Sequence, residues 1–573
     1  MFAEVIQSAA MTVIHPPIST TNQIDTALTE LTTHKTAWLA VSVTERIQIL
    51  DEIARRLDNV AERWVTYSSE AKGYGAGHAV EGDEWAMFAG VPRNILRLKE
   101  VLTEIKTKGR PQLPAGFVKR GSQLTAQTFP IQPLEKAVFA GYSTEVWFEP
   151  GVSEDDALAS QAKIYHDARQ VGKLALILGA GNVSMLVPCD VTTKLFLENQ
   201  VVLLKMNPVN DYLGPLIEEA YRPLIERGFL RLVYGGAQEG AYLCKHASVD
   251  VIHMTGSDKT FDAIGFGTGA EGEKNKQAQK PLLKKPVTSE LGGVNPLIVV
   301  PGAWTDTEVR EQAKQVAFWL VVNAGFNCLS PRVIIASKHW DLREKFLNAV
   351  TESLQQYPVR KAYYPNAQRF HAEFLKAHTD ANQIGTAGAD ELPWTFIPNL
   401  DSHNQKDIAF RSEAFCGLFT ETALDAKDAA DFINQAVTFA NEALWGNLTA
   451  YILVADTADA NIKSALEQGI ADLKYGTICV NMFAGLAYVF MAAPWGAYPS
   501  NPMNDIQSGN GSVNNLFMFE KLQKSVYRAP FKKQPDNTTH TPSYVASTKA
   551  IARLFGKLTW LNFIRLILAS MKK

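Results

Sequence analysis

Apolar residues recur at spacings of three and four through ERIQILDEIARRLDNVAERW, and this period predicts amphipathic helix across residues 24–72. Two further helical stretches follow within 83–107. Residues 108–128, punctuated by Gly109, Pro111, Pro114 and Gly116, read as loop and short strand, and 137–149 as strand. SEDDALASQAKIYHDARQV opens at Ser153 on an N-cap residue and an acidic first turn, which predicts a helix. The pattern then changes. Apolar runs at 173–178, 200–206, 230–234 and 249–254 alternate with helical stretches at 183–198, 212–227 and 238–245. Such alternation predicts a parallel sheet with right-handed crossovers, which binds ligands at the carboxyl ends of its strands. A second alternating region spans 296–484, with helices at 305–321, 342–356 and 426–441 and a strand at 477–480. The chain from there to about 527 is rich in Gly, Pro and Asn. Residues 1–22 read as a leader, and there are no repeats.

Composition narrows the class. With 46% hydrophobic and 20% charged residues, the 573-residue chain has the make-up of a globular protein with a sizeable core, enough for a few domains. A net charge of -3 gives no basic field for nucleic acid. Cys189, Cys244, Cys328, Cys416 and Cys479 are far apart and form no CxxC pair, which argues against a disulfide framework and for a reducing compartment. No HExxH occurs and the histidines are not at ligand spacing, so no metal is expected. No Lys or Arg precedes Lys35, so there is no secretory n-region and the cytoplasm is the expected location.

The C-terminal residues 537–573 contain no acidic residue and six basic ones: Lys549, Arg553, Lys557, Arg565, Lys572 and Lys573. The apolar run at 558–571 is shorter than the roughly 17–25 residues of a spanning helix. It reads either as an interfacial helix giving peripheral membrane contact, or as a helix docked on protein. The Lys- and Gly-rich segment GFGTGAEGEKNKQAQKPLLKK reads as a solvated surface excursion, with a phosphate-contacting loop as the alternative.

The chemistry concentrates in residues 290–332. ELGGVNPLIVV places a carboxylate before a Gly pair and an apolar run. NAGFNCLSPR places a thiol in a small turn-prone loop before another. Each precedes a predicted strand, so the two could face one another across a cleft, an arrangement suited to covalent thiol chemistry with a carboxylate to activate water. A lone Cys is otherwise most often a small buried hydrophobe. Nucleotide signals are weak: GTGAEG from Gly267 fits GxGxxG by letter without directly following a strand, and LVYGGAQEG is a loose approximation.

GAGN, MTGS, ELGGVNP, NAGFNCLSPR, EAFCG and PWGAYPSNPMNDIQSGNG occur in the order expected of the aldehyde dehydrogenase superfamily, and ERIQILDEIARRL resembles its N-terminal helix. The resemblance covers about 24–527. It implies an α/β fold with a Rossmann-like cofactor domain, an α/β catalytic domain and an oligomerisation arm, and oxidation of an aldehyde to an acid with NAD or NADP. Cys328 would be the nucleophile, forming a thiohemiacetal and then a thioester. The Asn182 amide would stabilise the oxyanion, and Glu290 would activate water for hydrolysis. Lys205 would bond the adenosine ribose, Gly256 and Ser257 would adjoin the pyrophosphate, and Gly292 with Gly293 would admit the nicotinamide. Glu413 would hold the nicotinamide ribose, with Phe415 beside it. Pro208 stands where NAD-preferring members usually carry Glu, which leaves NADP acceptable alongside NAD. Phe261 and Phe326 also depart from the family pattern.

The implied domains are a cofactor domain from 1–148 and 172–289, a catalytic domain at 290–490, and bridging or oligomerisation segments at 149–171 and 491–535. The last two would build a homodimer or homotetramer by sheet extension, followed by the tail at 536–573. The tail and the aromatics Trp319, Phe326, Phe483, Tyr488 and Phe490, as candidate tunnel residues, point to a hydrophobic or fatty aldehyde. The alternatives are a CoA-linked acyl reductase, whose relatives often lack the Glu290 carboxylate, and a catalytically retired scaffold.

Overall fold

A computed structural model describes residues 13–531 and 541–555. The first predicted helical run is two helices, Thr21–Ala40 and Val43–Ala71, broken where Val41 and Ser42 adopt extended backbone. Each starts on a capping box, Thr20 with Gln23 and Ser42 with Glu45, so sequence-local hydrogen bonds set both starts. The second helix buries Ile49, Leu50, Ile53, Leu57, Val60 and Trp64, the apolar face that its period foretold. Helices Glu81–Phe88 and Gly90–Lys108 follow, and Gly109 ends the latter at φ 82°, a left-handed cap.

Two sheets organise the remainder. The first has six strands in the order Gly509–Asn510, Val287–Leu291, Val251–Gly256, Leu174–Leu178, Val201–Lys205, Leu230–Val233. All pairs are parallel except that of Gly509–Asn510. The chain starts this sheet at Leu174–Leu178, adds strands on one side and then returns to the other. The resulting switch point opens a crevice at the carboxyl ends of Leu174–Leu178 and Val251–Gly256. The predicted helix at 183–198 is a short helix, Leu186–Thr192, running into a wider π turn, Thr193–Leu197. The predicted 212–227 helix is divided into Gly214–Ala220 and Arg222–Ile225, each with a proline in its first turn.

The second sheet has eleven strands, ordered Phe117–Arg120, Gln123–Phe129, Ser143–Phe148, Leu522–Arg528, Thr477–Val480, Thr449–Leu453, Asn295–Val299, Pro331–Ser337, Leu418–Leu424, Trp394–Leu400, Asn382–Ile384. The seven from Leu522–Arg528 to Trp394–Leu400 run parallel. Three features depart from the sequence expectation. The strands within 117–148, assigned to the cofactor domain, hydrogen-bond into this second sheet. The 149–171 bridge carries no strand but the helix Glu154–Ser160, which ends where Gln161 turns to extended backbone and Ala162 takes φ 54°. Leu522–Arg528, expected to extend a partner's sheet, has both edges taken within the chain, by Ser143–Phe148 and Thr477–Val480.

The C-terminal helix Pro542–Phe555 packs on Glu81–Phe88. Lys549 and Arg553, read as part of a membrane-facing basic set, instead pair with Glu62 at 2.9 Å each and lie over the Trp85 ring. The apolar run at 558–571 lies outside the described residues. Among the described residues, no helix is long and apolar enough to cross a membrane.

Candidate active site

The crevice at the switch point deepens into a cavity of about 1210 Å³ between the two sheets. Cys328, Glu290, Asn182, Lys205, Gly256, Ser257, Gly292, Glu413 and Phe415 all line it, from chain positions up to 233 residues apart.

Glu290 precedes the strand Asn295–Val299, as its apolar run predicts, but itself belongs to a strand. It sits near the carboxyl end of Val287–Leu291 in the six-stranded sheet, while Cys328 lies in the loop entering Pro331–Ser337 of the other sheet. The carboxylate and thiol therefore approach from different sheets. Glu290 is buried, its Oε2 accepts from the Tyr488 hydroxyl at 3.3 Å, and its Oε1 has no partner at full hydrogen-bond geometry. Burial pushes its carboxyl well above the usual range, and the neighbouring Asp190 carboxylate pushes it further. Cys328 is half-buried. Burial raises its thiol pKa strongly, and the fields of Glu413 and Glu290 raise it more.

The Cys328 loop is held rigidly. The Asn295 amide donates to the Cys328 and Ser330 carbonyls at 2.7 and 2.9 Å. Arg332 donates to the Gly325 and Asn327 carbonyls at 2.8 and 3.2 Å, and the Tyr451 hydroxyl to Leu329 O at 2.6 Å. Upstream, Asn323 and Ala324 take φ 53° and 55°. Asn323 is fully buried, and its amide donates to the carbonyls of Asn182 (3.0 Å) and Phe326 (3.2 Å). It thereby ties the GAGN turn to the cysteine loop. Asn182 in turn donates to Phe326 O at 2.9 Å, which occupies one of its two N–H groups and leaves the second.

Lys205 is buried, and burial lowers its pKa against the pull of Glu239 and Asp211. Ser257 caps the helix Asp258–Phe266, accepting from Thr260 N, so that helix's amino end faces the cavity. At Gly292 an added Cβ would stand 1.7 Å from Glu413 Oε2, so only glycine lets that carboxylate lie over the backbone. Glu413 is half-buried, with an unpartnered Oε1, and burial raises its carboxyl to about 8. Phe415 packs against Tyr364, ring centroids 4.9 Å apart.

Several sequence readings change here. The Lys- and Gly-rich segment is a mostly exposed excursion that holds the helix Gly269–Gln277, and at its ends Gly267, Thr268, Leu282 and Leu283 border the cavity. Lys284 and Lys285, the segment's last two residues, border it too. The lining carries seven basic side chains (Lys205, Lys245, Lys259, Lys284, Lys285, Arg369, Arg411) against four acidic ones (Asp258, Glu290, Glu373, Glu413). None of the five aromatics named as tunnel residues lines this cavity. Phe326 is buried among Tyr363, Tyr364 and Phe415; Phe490 stacks on Phe129 at 4.4 Å; Trp319 stacks between Tyr451 and Phe483. These rings build core.

A group that sequence spacing does not reveal lies behind Glu290. The strand register sets His253 beside Thr288 and Thr255 beside Glu290. Because strand side chains alternate, all four point to one face of the sheet. The segment Leu186–Leu197 crosses that face and brings Asp190 and Lys194, one turn apart, onto them. The alternating His253 and Thr255 of VIHMTG and the polar run Thr288–Glu290 of VTSEL, inside strands that should be buried, are the available signal.

Residues 163–369 match the model of the aldehyde dehydrogenase family. That segment is where the chain is similar to the aldehyde dehydrogenase family. It is 28% identical over 324 residues to aldehyde dehydrogenase family 2 member B4 of Arabidopsis thaliana, covering 54% of each chain. It is 26% identical over 340 residues to the mitochondrial benzaldehyde dehydrogenase of Antirrhinum majus, covering 56% of this chain and 57% of that one. The match thus spans about half the length of these curated relatives. The fold is similar to that of Mycobacterium tuberculosis aldehyde dehydrogenase solved with NAD+, with TM-score 0.60, 16% identity, and 89% of this chain and 91% of that one covered. It is also similar to a Methanocaldococcus jannaschii glyceraldehyde-3-phosphate dehydrogenase solved with NADP, with TM-score 0.59, 15% identity, and 90% and 98% covered. The fold shared with these structures therefore extends well beyond the segment that the family model matches.

Proposed function

We propose that this chain is an aldehyde dehydrogenase that oxidises an aldehyde to the carboxylic acid with NAD or NADP. The observation that carries the reading is the meeting of Cys328 and Glu290, from two different sheets, in one cavity with the Asn182 turn and a basic, glycine-lined crevice.

The residues fit a dinucleotide. The surplus of basic side chains suits an anionic ligand, and Gly292 lets the Glu413 carboxylate lie over the backbone at the cavity wall. Lys205 would hold the adenosine ribose, Gly256 and Ser257 the pyrophosphate, and Glu413 the nicotinamide ribose, with Phe415 packing beside it. When bound, the nicotinamide supplies a hydride acceptor. Pro208 places no carboxylate after Lys205 to repel a 2′-phosphate, so both cofactors would be accommodated.

Cys328 would add to the aldehyde carbon as thiolate, and the free N–H of Asn182 would receive the developing oxyanion; one such donor typically contributes about 100–1000-fold in rate. Loss of hydride from that adduct leaves an acyl group on sulfur. Glu290 would then take a proton from water as it attacks the thioester; a carboxyl with a raised pKa is the stronger base once ionised. The six-stranded sheet would serve the cofactor and the parallel part of the eleven-stranded sheet would carry the nucleophile. A homodimer or homotetramer would use a surface other than Leu522–Arg528. A preference for hydrophobic aldehydes and peripheral membrane contact would rest on the residues after 555 alone.

The test is turnover of an aldehyde panel with NAD and with NADP, without CoA. Cys328→Ala should form no reduced cofactor. Glu290→Gln should give one equivalent per site and then stall. Equal steady-state rates in Glu290→Gln and the native protein would remove Glu290 from the reaction. A requirement for CoA would point to the acyl reductase, and no reduced cofactor with any aldehyde to a scaffold.

A further inference from the structure

We propose that Asp190, His253 and Glu290 form a zinc-binding site that opens on the cavity through Glu290 and removes that carboxylate from service when filled. One ligand atom from each lies within 4.8 Å of the others, and the three residues are 1%, 2% and 5% exposed. His253 Nε2 has no hydrogen-bond partner among the described residues, and Glu290 Oε1 none at full hydrogen-bond geometry, with the Trp495 side chain acting on that carboxyl from nearby. His253 Nε2 faces Asp190 Oδ1 at 3.7 Å, too long for a hydrogen bond. Unclaimed atoms this deep are unusual, and here they converge.

The surroundings prepare the ligands. His253 Nδ1 lies 2.9 Å from Thr288 Oγ1, which also accepts from Lys194 Nζ at 3.2 Å. With Nδ1–H donating to Thr288, Nε2 carries the lone pair that a metal needs, the usual outer-shell arrangement for a ligating histidine. Thr255 Oγ1 donates to Asp190 Oδ2 at 3.3 Å, which orients that carboxylate and leaves Oδ1 toward His253. Lys194 is already paired with Glu198 at 2.7 Å and acts on the Glu290 carboxylate only through its field, without bonding to either inner carboxylate. One imidazole and two carboxylates are a ligand set for a borderline divalent ion, and a zinc ion would neutralise both. Ligands about 2.0–2.2 Å from zinc stand roughly 3.3 Å apart, so modest side-chain closure completes the site. The cavity provides the entry path.

The binding claim stands on this geometry; its effect on turnover rests on the role proposed for Glu290. Zinc binding to the full-length protein is measured by equilibrium dialysis for the native chain, His253→Gln, Asp190→Asn and Cys328→Ala, each checked for native circular dichroism. One ion per chain is expected, weakened at least tenfold in His253→Gln and Asp190→Asn and retained in Cys328→Ala. Loss in Cys328→Ala with retention in His253→Gln would overturn the site in favour of the thiol, as would no binding to the native chain. Cobalt read by absorption tests the native chain without a variant: d–d bands lacking a thiolate charge-transfer band are expected, and that band would overturn the proposal. Zinc should reduce native turnover to a single equivalent of reduced cofactor. One zinc bound at His253 with turnover unchanged would uphold binding, overturn the inhibitory part and count against Glu290 as the base.

Discussion

Replacing Asn323 tests whether the cysteine loop is held from behind. Its Oδ1 accepts from Lys72 Nζ at 2.8 Å and from the Tyr363 hydroxyl at 2.9 Å, while its Nδ2 serves the carbonyls of Asn182 and Phe326. Buried neutral hydrogen bonds contribute about 1 kcal/mol each and one to a charged partner about 1.5–3 kcal/mol, so Asn323→Ala should cost roughly 4.5–6 kcal/mol. Alanine also tolerates φ 53° poorly, whereas glycine does not mind it, so Asn323→Gly should be about 1 kcal/mol less harmful. Equilibrium urea unfolding followed by tryptophan fluorescence measures both. Because the same amide ties the Asn182 turn to the loop of Cys328, kcat should fall by tenfold or more in either variant. A loss below about 1 kcal/mol in Asn323→Ala with native kcat would refute the brace; equal stability of the Gly and Ala variants would refute the backbone part.

Three other perturbations follow from the packing. Lys524 is buried and donates to the carbonyls of Ile470, Ala471 and Leu473 at 3.1, 2.7 and 2.6 Å, at the end of the helix Ala460–Asp472; Lys524→Met should lower the unfolding free energy by about 2–4 kcal/mol in urea titrations. Glu413, raised by burial to about 8, binds a proton in the folded chain that the unfolded chain releases near 4.5, so its contribution is complete below 4.5 and is lost as pH rises through 8. Glu413→Gln should remove on the order of 3 kcal/mol of that decline, read as a flatter melting temperature between pH 5 and 9. In Gly82→Ala the new Cβ would stand 2.3 Å from the Tyr544 ring, so the C-terminal helix should undock and trypsin should cut at Lys549 and Arg553; unchanged digestion would mean the helix does not depend on that contact.

The sequence by itself determined the local structure and the identity of the cavity residues. Capping boxes at Thr20, Ser42, Ser153 and Thr305 start their helices through hydrogen bonds within four residues, and the helical and strand periods are properties of consecutive residues. The motifs, read in order, named nine residues that share one cavity. Tertiary structure alone decided the partners. Leu522–Arg528 closes on Ser143–Phe148 and Thr477–Val480 because edge hydrogen bonds are indifferent to sequence separation. Aromatic residues that looked fit for a tunnel became core, since an apolar ring is equally suited to either place. Asp190, His253 and Glu290, 63 and 37 residues apart, meet only because parallel register and a crossing helix set them on one face. Spacing along the chain encodes contacts within an element; contacts between elements are fixed by how sheets register and pack.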